Sequence, residues 1–488
     1  MSNPKSASGT LKTTKPVFTP AQQQARKRAT IYALIATLGP FFYGFEGMVL
    51  NGAINAVGSE FNLGPLASGL AGSAGIIGGL IGALFAGRIS DKIGRKRTMV
   101  LIGPFLLFEA IFGAFSPIFG GYWFLIFTRI VGGMGFGAAT TVAPGYVAEI
   151  APADIRGRLI GFRQLAIILG LFFAGTINFL VGNQAGGSTE VLALGLKAWQ
   201  WMFMCLLIPA LFFVVLTAII PESPRYLVSV GRNEEAREVL AKVSGETKSE
   251  IDQRIVAIRR SFGEGGESRK LSIGQIWNSQ WRSLVLVAMA IAAFQQLTGT
   301  NGIFFYSNML FESVGFSENA AFQQTLILTF FKLIGVTTGI MLVDKVGRKR
   351  MLMYGGTLIA IALFIVASVF TYAQFALGGP DISGNPVLGW LAVGALCLFL
   401  LGFTSSWGPI FSILMGEMFP NEIRGGAMSL ASGTDFFVNF IVVLLFPFLV
   451  SWSPAGTYWI YFVFGVLAII FTGLYVKETT GKSLEEMG

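Results

Sequence analysis

Apolar stretches of about 20 residues, separated by short polar loops, dominate the chain at about 30–56, 66–87, 98–117, 122–145, 160–182, 199–220, 283–309, 321–343, 351–374, 388–414, 428–450 and 457–476. A helix of roughly 20 apolar residues crosses about 30 Å of hydrocarbon and satisfies its own backbone there. The pattern predicts an all-α membrane protein with twelve transmembrane helices. The polar motifs between the stretches occur twice. GRISDKIGRKR at 87–97 is echoed by VDKVGRKR at 343–350, and EIAPADIRG at 149–157 by EMFPNEIRG at 417–425. Two related six-helix bundles follow, at 30–221 and 283–476, an arrangement in which many secondary transporters hold substrate near the midplane.

Three segments leave this pattern. Residues 1–29 are polar without the apolar core of a cleavable leader, and read as a disordered tail. Residues 222–282 carry RNEEAREVLAKV and SEIDQRIVAIRRSF, whose helical spacing predicts short linker helices. Residues 477–488 form a short second tail.

Composition and charge narrow the class. The chain is 53% hydrophobic and 12% charged, against roughly 25% charged residues in soluble domains, so a soluble protein is excluded. Its 62 glycines and 18 prolines suit helices that approach closely and bend. The loops on one side contain a single basic residue, Lys197, while the other side holds Lys92, Arg95, Lys96, Arg97, Arg156, Arg158, Lys345, Arg348, Lys349 and Arg350. The positive-inside rule then puts both termini in the cytoplasm, and a place in the plasma membrane is expected. This asymmetry accounts for the net charge of +9, so the basic excess implies lipid contact rather than nucleic acid. Cys205 and Cys397 lie in separate stretches and histidine is absent, which suggests neither a disulfide nor a metal site, and no cofactor is expected. GMGFGA at 133–138 has no strand before it and is no nucleotide fingerprint, so an enzyme is not expected.

The ordered motifs FFYGFEGMVLNGAI (41–54), RIVGGMGFG (129–137), PESPRYLVSVGR (221–232), FQQLTGTNGIFFYSNMLF (294–311), SWGPIFSILMGEMFPNEIRG (406–425) and ETTGKSLEE (478–486) resemble the sugar porter family of the major facilitator superfamily over nearly the whole length. The resemblance implies a monomer whose two bundles rock about a central site, carrying a sugar or polyol by alternating access with protons. It departs at Gln200, where the family usually has Arg, and at Lys477, where it usually has Pro. A uniporter and a transporter-like sugar sensor stand as alternatives; the short tail argues against the sensor.

Several residues carry expectations. Asp91 with Arg95 and Asp344 with Arg348 give each half a turn in which a carboxylate and a guanidinium can bond across a short loop. The resemblance makes these groups, with Glu149, Arg156, Glu417 and Arg424, a cytoplasmic gating network that Glu222 and Arg225 join. Charges inside the stretches are costly and normally face a partner or a cavity; the candidates singled out among them are Glu46, Glu109, Arg129, Lys332 and Asp435. Glu46 aligns with the acid of proton-coupled members and Arg129 with its partner, so Glu46 is the expected proton carrier. Glu109 matches no family role and is expected to be peripheral or structural.

The resemblance also assigns substrate contacts to Gln164, Gln295, Gln296 and Asn301, whose amides offer a donor and an acceptor to vicinal hydroxyls. Phe304, Phe305 and Tyr306 would form a gate or pocket wall, Trp407 and Pro409 would bend the tenth helix over the site, and Tyr306, Trp407, Ser412, Lys332 and Asp435 are expected among the substrate contacts. Lys332, Asp435 and Ser412 stand where the family usually has Asn, Gln or Asn, and Trp. Two readings remain open. A Lys332–Asp435 ion pair would leave a neutral sugar or polyol as substrate, which the surviving amides favour; alternatively Lys332 meets the carboxylate of a sugar acid or zwitterion.

Overall fold

The computed structural model describes residues 19–263, 273–379, 381–382, 385–420 and 422–478. Among them are twelve helices long and apolar enough to cross a membrane, at Pro20–Glu60, Pro65–Ile93, Arg95–Ala114, Gly121–Ile150, Ile155–Ala185, Ala198–Ile219, Arg282–Phe305, Glu318–Val343, Arg348–Ala376, Pro386–Met415, Gly426–Trp452 and Pro454–Tyr475. These are numbered as spans one to twelve. The first begins ten residues before the expected boundary. Thr19 and Gln22 form a capping box and Pro20 occupies the first turn, so part of the supposed tail is helix. Residues 1–18 lie outside the described residues, as do 479–488.

Linker helices at Pro224–Ser229, Asn233–Val243 and Lys248–Gly263 bury Leu227, Leu240, Ile251 and Ile255 in a small core of their own. They mark one face of the molecule, here the linker side. The opposite face carries a two-stranded hairpin, Val191–Ala193 paired with Leu196–Lys197, and is the hairpin side.

Two local devices place the later chemistry. The turn after the second span is made by Gly94 at φ +100° and its repeat after the eighth by Gly347 at φ +93°, a region that side chains resist. A Cβ at Gly94 would stand 2.2 Å from the Glu222 carboxylate, and one at Gly347 2.8 Å from that of Glu478. Glycine therefore both permits each turn and makes room for an acid beside it. The seventh helix breaks at Gly299, with φ +83°, and the tenth at Ser406, just before Trp407. Residues flanking each interruption, Gln296 and Asn301 at the first and Thr404 and Gly408 at the second, face the space between the bundles.

The bundles touch mainly near the hairpin side. Asn51 donates to the Phe304 carbonyl and to Ser307 Oγ, and the Tyr306 hydroxyl donates to the carbonyls of Ser68 at 3.2 Å and Gly69 at 3.3 Å. Glu318 accepts from the Ser188 backbone N–H at 2.9 Å. Gly69 abuts the Leu444 carbonyl and Gly182 the Phe322 ring, approaches that only a missing side chain allows.

Candidate functional site

A cavity of about 250 Å³ lies between the bundles. Gln164 faces it from the first bundle, and Gln295, Gln296, Asn301, Lys332, Asp435 and Ser412 from the second. The broken seventh helix fixes the amides in a chain. Asn301 Nδ2 donates to Gln296 Oε1 at 3.1 Å and to Asn439 Oδ1 at 3.0 Å, and Gln296 Nε2 donates to Asp435 Oδ1 at 2.7 Å. Gln295 Oε1 is buried with no hydrogen-bond partner.

The favoured Lys332–Asp435 ion pair does not form. The Lys332 ammonium lies 3.6 Å from the centre of the Phe304 ring, while Asp435 is held by Gln296. The eighth span packs on the fifth and tenth, and the eleventh on the second and seventh, so the two side chains reach the cavity from separate walls. A second cation, Arg163, lines the same cavity as Asp435. Arg163 was not among the expected site residues. It stands next to Gln164 in GFRQLAIILG, near the expected start of the fifth helix. That helix begins at Ala153, so Arg163 is well inside it and faces the cavity. Asn439, one turn beyond Asp435, also went unassigned.

Two further expectations are corrected. Trp407 is buried, and its indole N–H donates to the Leu352 carbonyl at 3.1 Å; the break at Ser406 turns it toward the ninth span and away from the cavity, which Gly408, Phe411 and Ser412 face instead. Tyr306 closes the hairpin side and does not line the cavity. Of its neighbours, Phe305 faces the cavity and Phe304 supports Lys332.

Within the first bundle three charges are packed together. Arg129 Nη1 lies 2.6 Å from Glu46 Oε1 and 3.6 Å from Glu109 Oε1, and its Nε donates to the Ala71 carbonyl at 2.7 Å. All three residues are at most 3% exposed. Glu109 is thus neither peripheral nor alone, and both its carboxylate oxygens lack a hydrogen bond. A Cβ at Gly132 would collide with its carboxylate, so the fourth span is hollowed to admit it.

On the linker side each half builds its own cluster. Arg95 pairs with Asp91 at 2.7 Å and Glu149 at 3.1 Å, and Glu149 accepts from Ser223 Oγ. Glu222 accepts the backbone N–H groups of Arg95 at 2.8 Å and Lys96 at 3.0 Å, capping the third span. In the second half Arg348 pairs with Glu417 at 2.9 Å, and Glu478 accepts the N–H groups of Arg348 at 2.8 Å and Lys349 at 3.2 Å. Glu478 is the counterpart of Glu222, unassigned because only the acid after the last helix is shared between PESPR and KETTG. Arg156 donates to the Ala151 carbonyl at 3.4 Å, and Arg225 is exposed. The side chains of Asp344 and Arg424 lie outside the described residues.

Two six-helix bundles around a polar cavity are the architecture of a transporter. The chain belongs to the family described as sugar (and other) transporter, which it matches over residues 32–488. It is 38% identical to the glucose transport protein of Synechocystis, covering 97% of this chain and 100% of that protein, and 33% identical to the D-xylose-proton symporter of Escherichia coli K12, covering 93% and 94%. Among solved structures it is similar to the xylose transporter of E. coli in a partially occluded inward-open conformation, with 29% identity, a TM-score of 0.79 and coverage of 94% and 100%. For the proton:xylose symporter bound to 6-bromo-6-deoxy-D-glucose the TM-score is 0.74, with 29% identity and coverage of 94% and 98%.

Proposed function

We propose that this protein is a monomeric plasma-membrane transporter that carries a sugar-class molecule inward with a proton by alternating access, its linker side and both termini in the cytoplasm. The observation that carries the reading is the buried Glu46–Arg129 pair in the bundle beside an amide-lined cavity, in a chain similar to sugar-proton symporters. Contacts between the bundles gather on the hairpin side, which fits a cavity facing the cytoplasm and agrees with the likeness to an inward-open structure.

Charge counting explains the proton. Two carboxylates and one guanidinium shut away from water leave one negative charge uncompensated, and a proton on the carboxylates removes it. The chain has no histidine, so a carboxylate is the carrier. The site also reaches the gate. Arg129 donates to Ala71 while Tyr306 of the other bundle donates to Ser68 and Gly69, so one turn of the second span is held from both sides. A movement of Arg129 as the carboxylates gain or lose the proton is passed along that turn to the carbonyls that Tyr306 grips.

The test is transport in proteoliposomes. Glu46→Gln keeps the hydrogen-bonding shape but carries no exchangeable proton, so it retains counterflow and loses uphill accumulation. One proton moved across 100 mV supplies about 2.3 kcal/mol, roughly fiftyfold accumulation. A variant that still concentrates substrate under a proton gradient removes Glu46 from the carrier role.

A further inference from the structure

The cavity holds more positive charge than its own residues neutralise. Lys332 is 7% exposed and has no carboxylate or carbonyl partner among the described residues; its ammonium rests on the Phe304 ring face. A ring replaces only part of the hydration that a buried ammonium loses. Arg163 faces the same cavity from the opposite bundle. Asp435 is the only carboxylate lining it among the described residues; it shares the cavity with Arg163 and is already held by Gln296 Nε2. Two cations and one carboxylate leave one positive charge, located at Lys332. Beside it stand neutral amides suited to hydroxyls, including the unpartnered Gln295 Oε1. A volume of about 250 Å³ is below the roughly 300–1,000 Å³ of drug-sized pockets and matches a small polar molecule.

We infer that the substrate is a sugar acid, a monoanionic polyhydroxy carboxylate whose carboxylate seats against Lys332 while Gln164, Gln295, Gln296 and Asn301 read its hydroxyls. The inference rests on the proposed sugar-class transport and names the substrate within it. A neutral sugar leaves Lys332 uncompensated, and a cationic amino sugar adds a third positive group. An anion with hydroxyls satisfies the charge and the amides together, and joins a cation of one bundle to the amides of both.

The experiment is a binding and counterflow panel on the purified full chain: D-glucuronate, D-galacturonate and D-gluconate, against D-glucose, D-galactose, D-glucosamine and the methyl ester of D-glucuronate. At least one acid binds tighter than its neutral counterpart by roughly ten- to a hundredfold, the range of one charge-assisted hydrogen bond, and exchanges in counterflow. Lys332→Gln brings acid and ester to equal affinity. The wild-type panel stands without the variant, so a misfolded Lys332→Gln leaves the inference exposed. Neutral sugars or glucosamine binding as tightly as any acid overturns it while sugar transport survives. If nothing in the panel binds or exchanges, the sugar acid falls together with the broader reading.

Discussion

The first bundle and the central cavity each place three charged side chains within the membrane, and they treat them in opposite ways. Glu46, Arg129 and Glu109 are packed against one another, out of contact with the cavity, and held by carbonyls of the second span. Arg163, Lys332 and Asp435 face open space, and no ion pair forms between Lys332 and Asp435. A closed cluster with one uncompensated negative charge has room only for something small, and a proton is the smallest ligand available. Charges left facing a cavity anticipate a partner from outside.

The largest expected effect breaks the first cluster. Arg129→Met strands two carboxylates in a dry site, where removing one partner of a buried pair costs about 3–5 kcal/mol, so the protein is recovered poorly and melts well below wild type. Adding Glu46→Gln and Glu109→Gln restores most of that loss by removing the stranded charges. A wild-type melting temperature for Arg129→Met alone would mean that the three residues are not the closed unit described here.

The same measurement on the cavity gives the contrasting result. Lys332→Asn removes a buried cation that has no anion and is neutral or stabilising, while Asp435→Asn keeps a partner for Gln296 and costs about 1 kcal/mol. The pair combines additively within about 0.3–0.5 kcal/mol, as groups without a shared contact do. Coupling well above that in thermal unfolding of the single and double variants restores the ion pair that the geometry rejects.

These two clusters also show what one sequence can reveal. Twelve helices, the doubled motifs and the linker helices were legible because each is written locally, in a run of apolar residues or a repeated turn. The place of Glu109 beside Arg129 was not legible because its partners sit on helices more than fifty residues before it and twenty after, a proximity no local pattern records. Arg163 was overlooked although it falls inside the apolar stretch at 160–182, because it stands only three residues from the start of that stretch, whereas the helix begins at Ala153 and carries it to the cavity wall. The Lys332–Asp435 pair was inferred from opposite charge alone, and charge says nothing about which wall each side chain leaves from. Glu478 needed the first half's Glu222 as a template, since little else of that motif survives.

The doubled linker-side clusters sharpen the comparison on a smaller scale. Glu222→Gln and Glu478→Gln each weaken a carboxylate cap on two backbone N–H groups at a helix start, worth about 0.5–2 kcal/mol. Equal losses in melting temperature are expected from the two halves. A loss from Glu222→Gln alone would mean that the second cap is only a geometric echo of the first.

The smallest effect concerns a titration on the hairpin side, outside the spans. Glu312 has its carboxyl pushed up to about 7, first by burial and then by the nearby Glu318 carboxylate, while a hydrogen bond from Asn55 of the other bundle opposes the rise. A carboxyl raised in the closed state favours that state when protonated. The contribution is complete below the ordinary carboxylate value near 4.5 and is lost as pH rises through about 7. Solvent screening at this partly buried position holds the bias to about 1 kcal/mol or less. Spin labels at Leu194→Cys in the hairpin turn and Phe375→Cys at the hairpin-side end of the ninth span, both exposed, with Cys205 and Cys397 replaced by serine, report the separation of the bundles there. The long-distance population is expected to grow between pH 6 and pH 8, on the order of one unit either side of that midpoint, and Glu312→Gln to hold it at the low-pH level throughout. A distribution that ignores pH in the wild type, or a pH response that survives Glu312→Gln, would place the proton's influence wholly within the Glu46 cluster.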